Sequence, residues 1–144
     1  VCSSDLSAAL GVSQFKRLES FLQKRARVAQ TYTEHLQDLD GVRPPVVKPH
    51  VRMSWFVYVV TLAEGLQRDR VIQKLADQGI PSRGYFAPIH TQPYIREMFG
   101  DLRGTLPVTE SIAERTIALP FHNNLTEQDV ERVVAALRRA IASG

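Results

Sequence analysis

A single cysteine, Cys2, stands among 144 residues. It excludes a disulfide framework and any cysteine-based zinc site built within the chain. Long apolar runs are also absent: the longest, Trp55 to Val60, is strand-sized and far below the ~18 residues that cross a membrane. No basic stretch followed by an apolar core opens the chain, so no secretory signal is read and a cytoplasmic chain is expected. Asn124-Leu125-Thr126 has the form of a glycosylation sequon, but without a signal it reads as a turn leading into a helix cap. Several reactive motifs are missing as well. There is no phosphate-cradling P-loop, no dinucleotide glycine fingerprint, no His-Glu-x-x-His and no Gly-x-Ser-x-Gly.

Charge of one sign is scarce too. The 18 Lys+Arg face 15 Asp+Glu, leaving +3. The pI of about 9.3 raises the question of nucleic acid, but phosphate binding needs clustered positive charge. Here the bases are interleaved with acids, as in Lys16-Arg17-Leu18-Glu19 and Glu131-Arg132. The nearest cluster, Lys24-Arg25-Ala26-Arg27, reads as a solvated helix face, so no nucleic-acid partner is expected. Of four histidines, His35 falls on a helix, His50 in a proline-rich connector, and His90 and His122 in turns. Two histidines without a third ligand make no zinc site, and no metal is expected.

What is present describes one globular domain. Hydrophobic residues make up 44% and charged residues 23%, the balance of a soluble fold with its own core. The length is too small for a large cofactor domain plus a substrate domain. The chain starts at Val1 and enters a helical pattern almost at once, as expected of a piece of something longer.

Leu6, Leu10, Leu18, Leu22, Val28, Ala29, Tyr32, Leu36 and Leu39 recur at helical spacings. They predict one long helix over about 4–40, with Ser4 as its cap, Asp5 in its first turn, Gly11 as a weak point and Gly41 as its stop. Pro44, Pro45 and Pro49 make 42–50 an extended connector. Trp55 to Leu62 predicts a strand apolar on both faces, Trp55, Val57 and Val59 against Phe56, Tyr58 and Val60, and so covered on both or nearly so. Gln67 to Gln78 predicts a short helix with Val71, Ile72, Leu75 and Ala76 inward, ended by Gly79. A short strand over 81–86 and an irregular stretch with a helical turn or two over 88–100 follow. Pro107 opens a helix whose stripe is Val108, Ile112, Thr116 and Leu119. Ala118 to Phe121 reads as a short extended piece. Thr126 and Asp129 form a capping box for the last helix, with Val130, Val133, Val134, Leu137 and Ile141 inward. The fold class expected is α+β, an α/β sandwich in which a small sheet packs against helices.

The densest chemistry lies in Arg83-Gly84-Tyr85-Phe86-Ala87-Pro88-Ile89-His90, at a strand end and the loop after it. Arg83 would supply charge, Tyr85 stacking and a hydroxyl, Phe86 a second ring, and His90 a hydrogen bond near neutral pH, a set suited to an anionic, ring-bearing ligand. The same residues also admit a structural reading, with Tyr85 and Phe86 as packing groups and Arg83 as an exposed strand residue.

The run from Ile80 to His90, followed by Gln92-Pro93-Tyr94, resembles the C-terminal domain of the DegT/StrS-type sugar aminotransferases, fold-type I enzymes that use pyridoxal phosphate. Other segments resemble the family in the same order: Ser4-Asp5-Leu6-Ser7-Ala8-Ala9-Leu10-Gly11, Ser54-Trp55-Phe56-Val57-Tyr58, Leu106-Pro107-Val108-Thr109-Glu110, Ala118-Leu119-Pro120-Phe121, and Leu125-Thr126-Glu127 with Val133. The resemblance implies that 1–144 is a single small C-terminal domain with its long linking helix, and that the N-terminal cofactor domain is absent. It implies a parent enzyme, a cytoplasmic homodimer, that transfers an amino group, from glutamate, to a keto group on a nucleotide-linked deoxy sugar for polysaccharide biosynthesis. The family's Schiff-base lysine is missing, since Lys16, Lys24, Lys48 and Lys74 stand in other contexts. So is the Asn-aromatic-Arg triplet that reaches the partner's cofactor phosphate; Val1-Cys2-Ser3 stands there. The fragment alone is therefore expected to be inactive, with no catalytic residue of its own, no metal and no membrane partner. Its substrate-binding candidates are His90, Tyr85, Arg83 and Phe86. The alternative is a non-catalytic accessory domain that binds a nucleotide or other small ligand with the same loop.

Overall fold

A computed structural model describes residues 3–142; Val1 and Cys2, which stand where the family's triplet is missing, lie outside the described residues. Among the described residues six α-helices and four short strands follow in the order α1 (Ser3–Phe15), α2 (Leu18–Leu36), β1 (Val42–Arg43), β2 (Tyr58–Leu62), α3 (Arg68–Asp77), β3 (Arg83–Gly84), α4 (Pro93–Phe99), α5 (Pro107–Arg115), β4 (Thr116–Leu119) and α6 (Glu127–Ala142), with a 3₁₀ turn at Ile89–Thr91 before α4. The strands form one antiparallel sheet in the order β1-β2-β4-β3. This is the α+β architecture expected from the pattern. No helix is long and apolar enough to cross a membrane.

The sheet sorts its side chains by face. Tyr58 lies opposite Leu119 and Val60 opposite Ile117, while Val59 faces Ala118 and Thr61 faces Thr116. The first set, with Leu62, is buried in the core against Val28, Ala29, Tyr32 and Leu36 of α2, Val71 and Leu75 of α3, and Val130, Val133, Val134 and Leu137 of α6. The second set is smaller, and Val59 and Thr61 are only half-buried. The expectation that the central strand is covered on both faces therefore holds for one face alone. Helices occupy that face; the other backs the two cavities described below.

Polar groups inside the core are satisfied by one another. Tyr32 donates its hydroxyl to the Pro120 carbonyl at 2.8 Å, and the Tyr58 and Thr33 hydroxyls share a hydrogen bond of 2.8 Å. The two tyrosine rings stack at 4.8 Å. Burial pushes both phenols above their ordinary pKa, so they stay neutral donors. Arg25, expected on a solvated face, is half-buried instead: it donates to Asn123 at 2.8 Å and to the Trp55 carbonyl at 3.0 Å, joining α2 to the segments that flank the sheet.

Local chemistry sets several boundaries as expected. Thr126 Oγ1 accepts the Asp129 N–H, and Asp129 accepts the Thr126 N–H, closing the capping box before α6. Pro107 opens α5. After α3, Gly79 at φ 72° lets its own N–H reach Ala76 and the Ile80 N–H reach Leu75, the paired bonds of a Schellman motif, and Ile80 is buried as the motif's apolar contact.

Other expectations are corrected. The long helix is two helices. The break falls at Lys16–Arg17, not Gly11, where the Arg17 N–H bonds the Gln14 carbonyl three residues back instead of four. Ser4 stands inside α1, since Ser3 is already helical. Gly41 does not stop the helix, because α2 ends at Leu36; it leads into β1, a strand the proline-rich connector concealed. Strand β3 is two residues long, short of 81–86. Thr116 and Leu119 belong to β4 and not to the α5 stripe, and Ala76 is exposed. The apolar side chains of α1 stay in solvent: Leu6 is 66% and Phe15 75% exposed. Leu10 and Val12 are exposed as well, so α1 carries apolar side chains around its surface that nothing in the described chain covers. Exposed apolar area on this scale drives association. The 144-residue chain is expected to self-associate in sedimentation velocity at high micromolar concentration; a monodisperse monomer there would contradict this.

Candidate functional site

The segment after α3 crosses the sheet edge as β3, where Arg83 pairs with Ala118 and Gly84 with Ile117. A Cβ on Gly84 would sit 3.1 Å from the Arg68 guanidinium. The bare glycine leaves room for Arg68 to pass and donate to the Ala113 carbonyl at 2.6 Å, tying α3 to α5 beneath the site. Beyond β3, Phe86 holds φ 41°, the one non-glycine residue with positive φ among those described. A bulky side chain in that region is strained. The turn throws the Phe86 ring, 73% exposed, against Tyr85 at 4.6 Å.

Two cavities flank this pair of rings. The larger, of about 880 Å³, is an apolar groove formed by the 85–90 loop, α4, the loop before α5, and α5 itself. Ile95, Phe99, Leu106 and Ile112 make much of its wall, and its polar groups include His90, Thr109 and Thr116. The smaller, of about 390 Å³, lies toward the β2–β4 end and includes Ser82, Arg83, Ala118 and Phe121. Tyr85 and Phe86 line both. The rear face of β4 supplies Thr116 to the first and Ala118 to the second, which is how the sheet positions them.

The four residues singled out from sequence therefore lie along one surface in two compartments. Tyr85, Phe86 and His90 meet at the groove. Arg83 faces the second cavity with the same two rings, and does not share a cavity with His90. Arg83 is exposed and makes no side-chain hydrogen bond or ion pair among the described residues. Ser82 beside it has a buried hydroxyl oxygen without a partner. No lysine lines either cavity.

His90 is buried at 9% exposure. Its Nε2 lies 2.8 Å from Glu110 Oε1, a residue of the first turn of α5. The same carboxylate accepts the Gly104 N–H at 2.8 Å and, more weakly, the Leu106 N–H at 3.4 Å. The His90 bond first, then these backbone donors, hold the Glu110 carboxyl below the usual carboxylate range. Glu110 was missed by sequence reasoning as a site residue. Its local signal, an acid in the first turn after Pro107, announces only a helix start; the partner twenty positions away is set by the fold. Ser82 was likewise passed over, since a serine beside a turn carries no signal of burial.

His122 accepts the Asn124 N–H at 3.2 Å and is not paired with His90. Among the described residues one group brings potential metal ligands together: His35, Glu127 and Glu131, whose ligand atoms lie within 4.8 Å of one another where α2 meets α6. None of the three lines the groove.

Known proteins share both sequence and fold with this chain. The model of the DegT/DnrJ/EryC1/StrS aminotransferase family matches residues 4–138. GDP-perosamine synthase of Caulobacter vibrioides is 37% identical over 144 residues, spanning 96% of this chain and 37% of that protein. The spore coat polysaccharide biosynthesis protein SpsC of Bacillus subtilis is 33% identical over 138 residues, spanning 93% and 36%. The crystal structure of the aminotransferase TlmJ from Streptoalloteichus hindustanus superposes with a TM-score of 0.84 at 31% identity, covering 96% of this chain and 37% of TlmJ. The chain thus spans a little over a third of the length of each of these relatives.

Proposed function

Because the chain belongs to the DegT/DnrJ/EryC1/StrS aminotransferase family, we propose that it is the small C-terminal domain of a longer pyridoxal-phosphate-dependent sugar aminotransferase. In this reading the whole enzyme moves an amino group from an amino acid, glutamate, to a keto group on a nucleotide-linked deoxy sugar. The observation that carries the reading is the meeting of Tyr85, Phe86 and His90 at one groove, with Arg83 at the adjoining cavity. Aromatic rings suit a sugar or base, the imidazole suits a hydroxyl, and the guanidinium suits a phosphate or carboxylate.

The residues of this chain do not make a cofactor site by themselves, since neither cavity is lined by a lysine. Pyridoxal phosphate is therefore assigned to the remainder of the longer protein, where it supplies the electron sink of amino transfer. The contribution of this chain is binding and orientation: rings that wall the sugar, a cation for the anionic end, and an apolar groove that excludes water. The exposed apolar side chains of α1 fit a contact with that remainder or with a second subunit of a homodimer.

His90→Ala tests the reading in the longer enzyme restored from its coding sequence. A hydrogen bond between neutral groups contributes ~0.5–1.5 kcal/mol and one to a charged group ~1.5–3 kcal/mol. The sugar half-reaction is expected to slow severalfold or more, while the amino-acid half-reaction keeps its rate. Separate single-turnover measurements of the two halves decide it: equal slowing, or none in either, rejects a substrate-side role for His90.

A further inference from the structure

We propose that Glu110 is a positioning residue that fixes the tautomer of His90 and so presents Nδ1 to the groove as a hydrogen-bond acceptor, selecting a hydroxyl of the sugar over a phosphate oxygen. This deepens the reading of the groove given above and rests on it for the ligand's class.

The argument is one of donors and acceptors. An ionised carboxylate only accepts hydrogen bonds. Glu110 accepts two backbone N–H groups, from Gly104 at 2.8 Å and 3.0 Å to its two oxygens and from Leu106 at 3.4 Å, so its oxygens are committed as acceptors. The 2.8 Å contact with His90 Nε2 then requires the proton to sit on Nε2. In the neutral ring the other nitrogen, Nδ1, must carry the lone pair. Nδ1 has no hydrogen-bond partner among the described residues, and His90 is one of the few polar residues lining an otherwise apolar groove. A bare Nδ1 accepts from O–H or N–H; it cannot bond an ionised phosphate oxygen, which also only accepts. A hydroxyl is the sugar group that fits. The carboxylate does this from the start of α5 while closing the loop over 104–106, so one side chain orients the imidazole and shapes the groove wall beside it.

Glu110→Ala and Glu110→Gln together separate these roles. The oxygen that meets His90 Nε2 also accepts the Gly104 and Leu106 N–H groups, so glutamine keeps its carbonyl oxygen there and leaves the proton on Nε2, whereas alanine removes the acceptor. In the 144-residue chain, ¹⁵N NMR of the His90 ring at a pH where it is neutral is expected to show a protonated Nε2 and a bare Nδ1 in the parent and in Glu110→Gln, and to move both nitrogens toward the mixed tautomers of free imidazole in Glu110→Ala. A bare Nε2 in the parent, or an unchanged ring in Glu110→Ala, overturns the proposal. In the longer enzyme, Glu110→Ala is expected to slow the sugar half-reaction about as much as His90→Ala, with Glu110→Gln recovering most of that loss and the double alanine variant no slower than His90→Ala alone. Additive losses would overturn the positioning role while leaving the substrate-side role of His90 intact. If His90→Ala itself leaves the sugar half-reaction unchanged, the reading of the groove fails, and the proton position stands or falls on the NMR result.

Discussion

Pyridoxal phosphate mixed with the 144-residue chain and reduced with borohydride is expected to leave no lysine stoichiometrically modified, and the chain is expected to catalyse no amino transfer. The reason is the placement of its four lysines. Lys16 lies in the exposed turn between α1 and α2, Lys24 is exposed on α2, and Lys48 is exposed in the connector after β1. Lys74 is half-buried on α3, with its amine 3.4 Å from the Ala140 carbonyl at the contact with α6. None lines either cavity. A lysine that attacks a carbonyl needs a desolvated pocket or a neighbouring cation to activate it, and a ligand held within reach. These four have neither arrangement at the groove. Mass spectrometry of the reduced chain checks the expectation directly. One site labelled to one equivalent would place a reactive amine in this domain and overturn the assignment of the cofactor to the rest of the protein.

Leu137→Ala is expected to lower the unfolding free energy of the chain by ~2–5 kcal/mol, read from the shift of the urea midpoint at unchanged slope. Leu137 is fully buried on α6 and belongs to the core that joins α6 to α2, α3 and the inner face of the sheet. Its truncation removes apolar contact and leaves a cavity that rigid neighbours on several elements cannot close. A domain of this size holds only about 5–15 kcal/mol in all, so the loss takes a large share of it. The matched deletion Val108→Ala, at a position 77% exposed on α5, is expected to stay within about 0.5 kcal/mol of the parent. Equal effects at the two positions would show that the core does not run where the sheet's inner face places it.

Much of this domain was legible because the deciding interactions are short in sequence. The capping box of α6 spans Thr126 to Asp129, the Schellman motif of α3 spans Leu75 to Ile80, and Pro107 announces α5 through the one backbone donor it lacks. The strand expected over 55–62 is there, though only as Tyr58–Leu62, and the aromatic and histidine positions of 80–94 carried the family resemblance without reference to any fold. These features are properties of neighbouring residues and need no distant contact to be read.

Other features exist only once distant segments meet. Two residues at Val42–Arg43 become β1 because the edge of β2 offers them partners, a pairing that proline-rich composition hides. Leu6 and Leu10 share the four-residue spacing of Tyr32 and Leu36, yet only α2 has sheet and α6 beneath it, so one half of a single periodic pattern is core and the other is surface. His90 and Glu110 are twenty positions apart; what brings Nε2 within 2.8 Å of the carboxylate is the packing of α5 against the 85–90 loop, and no spacing rule reports it. Likewise Arg83 and His90, seven residues apart, fall in different cavities because Phe86 turns the chain through positive φ between them. Periodicity reports which side chains are able to be buried, whereas burial, pairing and proton placement depend on which surfaces the chain brings within a few ångströms of one another.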